Sequence, residues 1–169
     1  MKQNSRMFFV LDLLIAALGL AIDQFTKHLA VVHLKDQPAI SLIDGVLELR
    51  YLENRGAAFG MLQNQKAFFI VMTSLIMILC LYVLWKMPAS KKYGVLHVMG
   101  GFLMAGALGN LFDRVRLNYV VDFIYFKLID FPIFNVADIY VTVICGLGIF
   151  LMFFGKYQDE DFNFLKWKA

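Results

Sequence analysis

The sequence predicts an all-α integral membrane protein with four transmembrane helices, a small extracytoplasmic β-sheet between helices 1 and 2, and a short extended segment between helices 3 and 4. Composition carries half of that expectation: 60% of the 169 residues are hydrophobic and 17% are charged, a balance few soluble domains reach. Spacing carries the rest. The apolar residues gather in four runs, 7–32, 67–85, 93–112 and 136–154, each close to the ~20 residues that cross a hydrocarbon core about 30 Å thick. Residues 1–169 read as a single domain, without internal repeat or low-complexity stretch.

The net charge of +3 is small and dispersed. Without a basic stripe interleaved with aromatics, nucleic acid is not an expected partner. Cys80 and Cys145 fall inside predicted spans, outside any CxxC or Cys/His cluster, and read as reduced, lipid-buried apolar residues. His28, His33 and His97 lack ligand-like spacing, so neither a metal nor another cofactor is expected.

Lys2 and Arg6 precede the first run, and Gly19-Leu20-Ala21 offers the small residues of a signal-peptide cleavage site. The apolar pattern nevertheless continues through Phe25 and His28 to Val32, which favours a retained first helix. Asp23 stands four residues before Lys27, the favourable order for a pair on one helical face. Two readings stay open here: an interfacial ion pair with Lys27 snorkelling to water, or a direct functional role. Asp12 is expected to reach the opposite interface, with no chemistry assigned.

Residues 35–66 are mixed and polar, with Asp44-Gly45 as a hairpin turn signal between 40–43 and 46–51. The second strand runs into Asn54-Arg55-Gly56-Ala57-Ala58-Phe59-Gly60, where small residues permit close backbone approach and Asn54 and Arg55 supply donors. The second span ends at Lys86, followed by Lys91 and Lys92. With Lys2 and Arg6 these point to the cytoplasm under the positive-inside rule, which places both termini there too.

Helix three carries Gly101, Ala105 and Gly109 at four-residue spacing, a face for close packing in lipid. Asn110, Asp113 and Arg114 then cluster at its end. Asp113 and Arg114 could form an interfacial ion pair, or could brace a neighbouring site. Residues 119–125 are aromatic and β-branched, and period-two alternation sets Asp122 opposite Val121 and Phe123. Asn135 precedes helix four, whose first turn holds Asp138, a place where the helix dipole alone favours an acid. The tail from Lys156, with Phe162, Phe164 and Trp167, reads as an interfacial end.

Four spans put loops one and three on the same, outer side. Asp23, Lys27, Asn54, Arg55, Asn110, Asp113 and Asp138 thus converge on one surface from distant parts of the chain. No Ser/His or Cys/His nucleophile and no phosphate-cradling glycine loop accompanies them, so carboxylates are the available chemistry. Two close carboxylates in a low-dielectric setting cannot both ionise cheaply, and one keeps its proton while the other is an anion. Such a pair can activate a water for attack on a carbonyl and protonate the leaving amine.

Five segments resemble lipoprotein signal peptidase, also called signal peptidase II: Asp-Gln-Phe-Thr-Lys at 23–27, Asn-Arg-Gly-Ala-Ala-Phe at 54–59, Gly-Ala-Leu-Gly-Asn-Leu-Phe-Asp-Arg at 106–114, Val-Val-Asp-Phe-Ile at 120–124 and Phe-Asn-Val-Ala-Asp at 134–138. The match runs in order over nearly the whole chain. It implies a membrane aspartyl endopeptidase of the bacterial cytoplasmic membrane, which removes the signal peptide from diacylglyceryl-modified prolipoproteins just before the lipidated cysteine. Membrane lipids would be its surroundings, and the antibiotics globomycin and myxovirescin would occupy its site. By motif, Asp122 and Asp138 would be the catalytic pair, with Asn54, Asn110, Arg114 and Asn135 orienting substrate or pair. Asp23, Lys27, Gly56 and Asp113 match motif positions that serve local support or substrate contact. Where family members often carry a small hydroxyl residue after the second aspartate, this chain has Ile139.

Three other readings compete. A proton-coupled transporter or channel would carry acids deep in its spans and a repeat between halves. A metal-dependent lipid-head-group transferase would carry a dense run of aspartates on one helix. A structural membrane subunit would use its polar residues as glue between helices.

Overall fold

The computed structural model describes residues 3–56, 63–155 and 157–166. Residues 57–60 of the loop-one motif, Lys2, Lys156 and Trp167 therefore lie outside the described residues. Four helices form the body: α1 (Gln3–Leu34), α2 (Lys66–Lys86), α3 (Gly94–Leu117) and α4 (Val136–Phe153). All four are long and apolar enough to cross a membrane. The α2 helix buries Leu84 alone, so most of its apolar surface faces outward, as suits a lipid solvent.

Helix α3 continues five residues past the expected end at 112 and closes on Asn118, whose left-handed φ of 70° turns its N–H onto Arg114 O at 3.3 Å. Asn110, Asp113 and Arg114 are thus inside the helix rather than at its end. The small-residue face of α3 packs on α1: a Cβ at Gly101 would lie 2.8 Å from Ile15 and 3.0 Å from the Asp12 carbonyl.

That approach overturns the expectation for Asp12. Its carboxylate is 1% exposed and turns inward to pair with His97 Nδ1 at 2.8 Å instead of reaching solvent. The helix begins at Gln3, so Asp12 already lies about 13 Å along it, at 1.5 Å per residue. A charge at that depth needs a partner on the neighbouring helix.

Strands β1 (Ile40–Ile43), β2 (Leu47–Asn54) and β3 (Val120–Phe126) form one antiparallel sheet in the order β1-β2-β3. The Asp44-Gly45 turn is present, with Gly45 at φ 72° and Val46 N–H on Ile43 O at 2.9 Å. The sheet departs from expectation in one respect. The extended segment after helix three is not separate but is the third strand, and it covers the β2 edge that a lone hairpin would leave unpaired. Its register sets Asp122 opposite Leu52 and Val120 opposite Asn54.

Both faces of β3 are covered, since Val120, Val121, Asp122 and Phe123 are all buried. Val121 and Phe123 pack with Ala30 and Leu34 of α1, while Asp122 faces away from that cluster. Hydrophobic packing on one face therefore fixes where the carboxylate goes. At the other end of the bundle the tail folds back, with Lys92 paired to Asp161 and Tyr93 Oη donating to Asp161 O at 2.8 Å.

Candidate active site

The α4 N-terminus organises the polar cluster. Asn135 is its cap, its Oδ1 accepting from Asp138 N at 3.0 Å while Asp138 Oδ2 accepts from Asn135 N at 3.1 Å. This reciprocal box is the ordinary use of an acid at a helix start. It leaves Asp138 Oδ1 free of α4, and that oxygen accepts from Asn110 Nδ2 of α3 at 2.8 Å. Asn135 Nδ2 in turn donates to Asp122 Oδ1 at 2.6 Å, so a single asparagine touches both acids. Asn54, at the end of β2, donates to Asp122 Oδ2 at 2.8 Å.

Each amide is oriented by a group that can only donate, because an amide has one accepting and one donating end. Gly56 N–H lies on Asn54 Oδ1 at 2.9 Å, Asp138 N–H on Asn135 Oδ1, and Lys27 Nζ on Asn110 Oδ1 at 2.9 Å. All three NH2 groups therefore point at carboxylates.

Behind this layer, Lys27 joins Asp23 at 2.9 Å and Asp113 at 3.1 Å, with all three side chains at most 3% exposed. The snorkelling reading of Lys27 fails on that burial. Asp23 Oδ1 accepts Ala137 N at 2.9 Å and Asp113 Oδ2 accepts Val121 N at 3.1 Å, so the trio ties α1 and α3 to α4 and β3. Gly109 makes room for it, since a Cβ there would lie 2.3 Å from Asp23 Oδ2. Asp113 thus pairs with Lys27 rather than with Arg114. Arg114 instead donates to Gly56 O at 3.1 Å and lies over the Phe69 ring at 4.5 Å.

Arg55 stands apart from the expected group. It is exposed, 3.5 Å from Glu53 and over the Tyr119 ring at 5.9 Å, and makes no contact with either acid. Gln24 was not singled out from the sequence, yet its Nε2 donates to Asp113 Oδ1 at 3.0 Å and to Gly109 O at 3.3 Å. Its place between Asp23 and Lys27 was the available signal.

A cavity of about 440 Å³ opens over the two acids. Asn54, Asn110, Arg114, Asp122 and Asp138 form its polar wall; Phe131, Pro132, Phe134, Ile139 and Val143 form an apolar one. The volume suits an extended peptide segment or a small ligand. Burial first, and the neighbouring Asp138 second, push the Asp122 pKa up to about 7 against the donors Asn54 and Asn135 and the charge of Lys27. Asp122 therefore holds a proton for part of the time near neutrality, and the two acids differ in environment as an acid and base must. Among the described residues, no three His, Cys, Asp or Glu side chains gather as a metal site.

Comparison with known proteins adds the following. A family model described as Signal peptidase (SPase) II matches residues 15–154. A lipoprotein signal peptidase of Caldanaerobacter subterraneus subsp. tengcongensis is 46% identical over 143 residues, covering 84% of this chain and 95% of the relative. One from Streptococcus thermophilus is 41% identical over 148 residues, covering 88% and 92%. A solved structure described as a bacterial membrane enzyme superposes with a TM-score of 0.75 at 32% identity, over 88% of this chain and 92% of that one.

Proposed function

The chain belongs to the signal peptidase II family, whose members cleave lipoprotein signal peptides, and from that premise we propose that it is an aspartic endopeptidase acting through Asp122 and Asp138. The observation that carries this is the shared asparagine: Asn135 holds Asp122 by its side chain and Asp138 by its backbone at the floor of one cavity. Asp122, with its raised pKa, is the member that keeps a proton and hydrogen-bonds the scissile carbonyl oxygen. Asp138 takes a proton from water as the water oxygen attacks the carbonyl carbon. The tetrahedral intermediate then collapses, the C–N bond breaks, and the proton taken by Asp138 passes to the departing amine. Asn54, Asn110 and Asn135 keep the acids aimed, Arg114 holds the Gly56 backbone beside them, and Asp23, Lys27 and Asp113 brace the floor.

The substrate in this reading is a prolipoprotein whose cysteine carries a diacylglyceryl group, cut just before that cysteine. The cavity offers what such a substrate needs, a polar wall for the peptide and an apolar wall from residues 131–134 and the first turns of α4 for the lipid. The basic loop at Lys86, Lys91 and Lys92, at the end of α2 and α3 opposite the acid pair, supports a reading with both termini cytoplasmic and the site extracytoplasmic, in a bacterial plasma membrane. Globomycin and myxovirescin bind in the same cavity as inhibitors. Purified Asp122→Asn and Asp138→Asn should each insert and fold but leave a diacylated prolipoprotein uncut in a gel-shift assay. Normal cleavage by either variant refutes the assignment.

A further inference from the structure

Of the three amides that face the acids, two are oriented by backbone N–H groups and one by a side chain. Asn54 is set by Gly56 N–H and Asn135 by Asp138 N–H, which no side-chain substitution removes. Asn110 depends on Lys27, 83 residues away on another helix. The ammonium has three N–H bonds and three acceptors, Asp23 Oδ2 at 2.9 Å, Asp113 Oδ2 at 3.1 Å and Asn110 Oδ1 at 2.9 Å. At 3% exposed, the side chain is closed off from bulk solvent. Turning the Asn110 amide over would set its NH2 against the ammonium and its oxygen against Asp138 Oδ1, two repulsive contacts in place of two attractive ones.

We infer that Lys27 is a positioning residue for the acid pair: its ammonium takes Asn110 Oδ1, which leaves the amide N–H directed at Asp138 Oδ1 and holds that carboxylate toward the cavity. Asn135 Nδ2 also lies 3.1 Å from that oxygen, but the same NH2 group is held to Asp122 Oδ1 at 2.6 Å, so Lys27 supplies the shorter and the charged of the two contacts on Asn110 Oδ1. The ion-pair trio is then more than a helix tie. Its positive centre reaches Asp138 through one amide, and its two carboxylates hold that centre at the right height. The inference rests on Asp138 being one of the acting acids, which the gel-shift of wild type against Asp138→Asn decides separately.

Removing Lys27 alone strands two buried carboxylates, so the test uses Lys27→Met/Asp113→Asn, which keeps the net charge of the trio. Expected is a cooperative melting profile shifted to lower temperature, since Asp23 stays buried without its cation, with kcat lowered about tenfold or more, the loss of one directed hydrogen bond, and KM within about twofold. In an Asn110→Ala background the same pair of changes costs about twofold at most, because the link is already cut. A second readout needs no substrate: in asparagine-15N-labelled protein, the Asn110 side-chain amide, assigned by its absence in Asn110→Asp, loses its exchange protection. Wild-type kcat with an unmoved Asn110 resonance overturns the inference, as does a loss additive with Asn110→Ala. Should the double variant fail to insert, Asn110→Asp carries the test. It keeps an oxygen on Lys27 but turns another to Asp138, so activity returns only as pH falls and a proton bridges the two. A pH profile parallel to wild type overturns the inference.

Discussion

Asn135 and Asp138 hold each other at the start of α4, side chain to backbone in both directions, at 3.0 and 3.1 Å. Because Asn135 also donates to Asp122 at 2.6 Å, a helix cap and an acid pair share one residue. Asn135→Ala should therefore do two separable kinds of damage. Loss of the cap costs about 1 kcal/mol of stability. Loss of the Asp122 contact lowers kcat in addition, by about tenfold if one buried hydrogen bond of ~1.5 kcal/mol is lost. Melting temperature and gel-shift kinetics on the same preparation separate the two, and proportionate losses would contradict the shared role.

Asp122 gives a pH dependence with a defined sign. Its folded pKa of about 7 lies above the 3.8 of an ordinary aspartate, so the folded state binds the proton more tightly. The stability this contributes is fully present below pH 3.8 and is lost as pH rises through about 7. Asp122→Asn should melt higher than wild type at pH 8 and show a flatter dependence between pH 5 and pH 8. The kcat/KM of wild type should fall on the alkaline side of about 7 as Asp122 of the free enzyme loses the proton it supplies. A kcat/KM that rises across that range would assign the acid role elsewhere.

The Asp12 and His97 pair tests whether a polar contact deep between α1 and α3 serves the fold alone. Both are buried, 2.8 Å apart, with no hydrogen-bond partner for Asp12 Oδ1 or His97 Nε2 among the described residues. His97→Ala leaves a buried acid unpaired and should cost about 3–5 kcal/mol, whereas Asp12→Leu/His97→Met should be neutral or stabilising. Neither change should alter KM for cleavage in protein that remains folded. A melting curve and a KM for each variant decide the matter.

Acid and base chemistry on two carboxylates predicts that cleavage survives EDTA. Activity lost to chelation and restored by zinc would point to a metallopeptidase instead.

Much of this molecule is legible along the chain. The four apolar runs, the Asp-Gly turn and the acid at the α4 start each depend on neighbours a few residues away, and periodicity and capping chemistry register such neighbours directly. The polar residues of the cluster were legible too, because a polar group between apolar spans needs a reason to be there.

Partnership was a different matter. Nothing local distinguishes Arg55, which faces outward, from Arg114, which closes over the cavity, or says that Asp113 turns to Lys27 and not to the adjacent Arg114. Nor does a local pattern reveal that residues 120–126 complete the sheet, that Gln24 joins the trio, or that Asp12 finds His97. The sequence by itself determined which segments are apolar, where they stop and which polar residues stand out between them. Which oxygen meets which nitrogen was decided by tertiary structure, because hydrogen bonds near 3 Å depend on helix approach and strand register set by packing across the whole bundle.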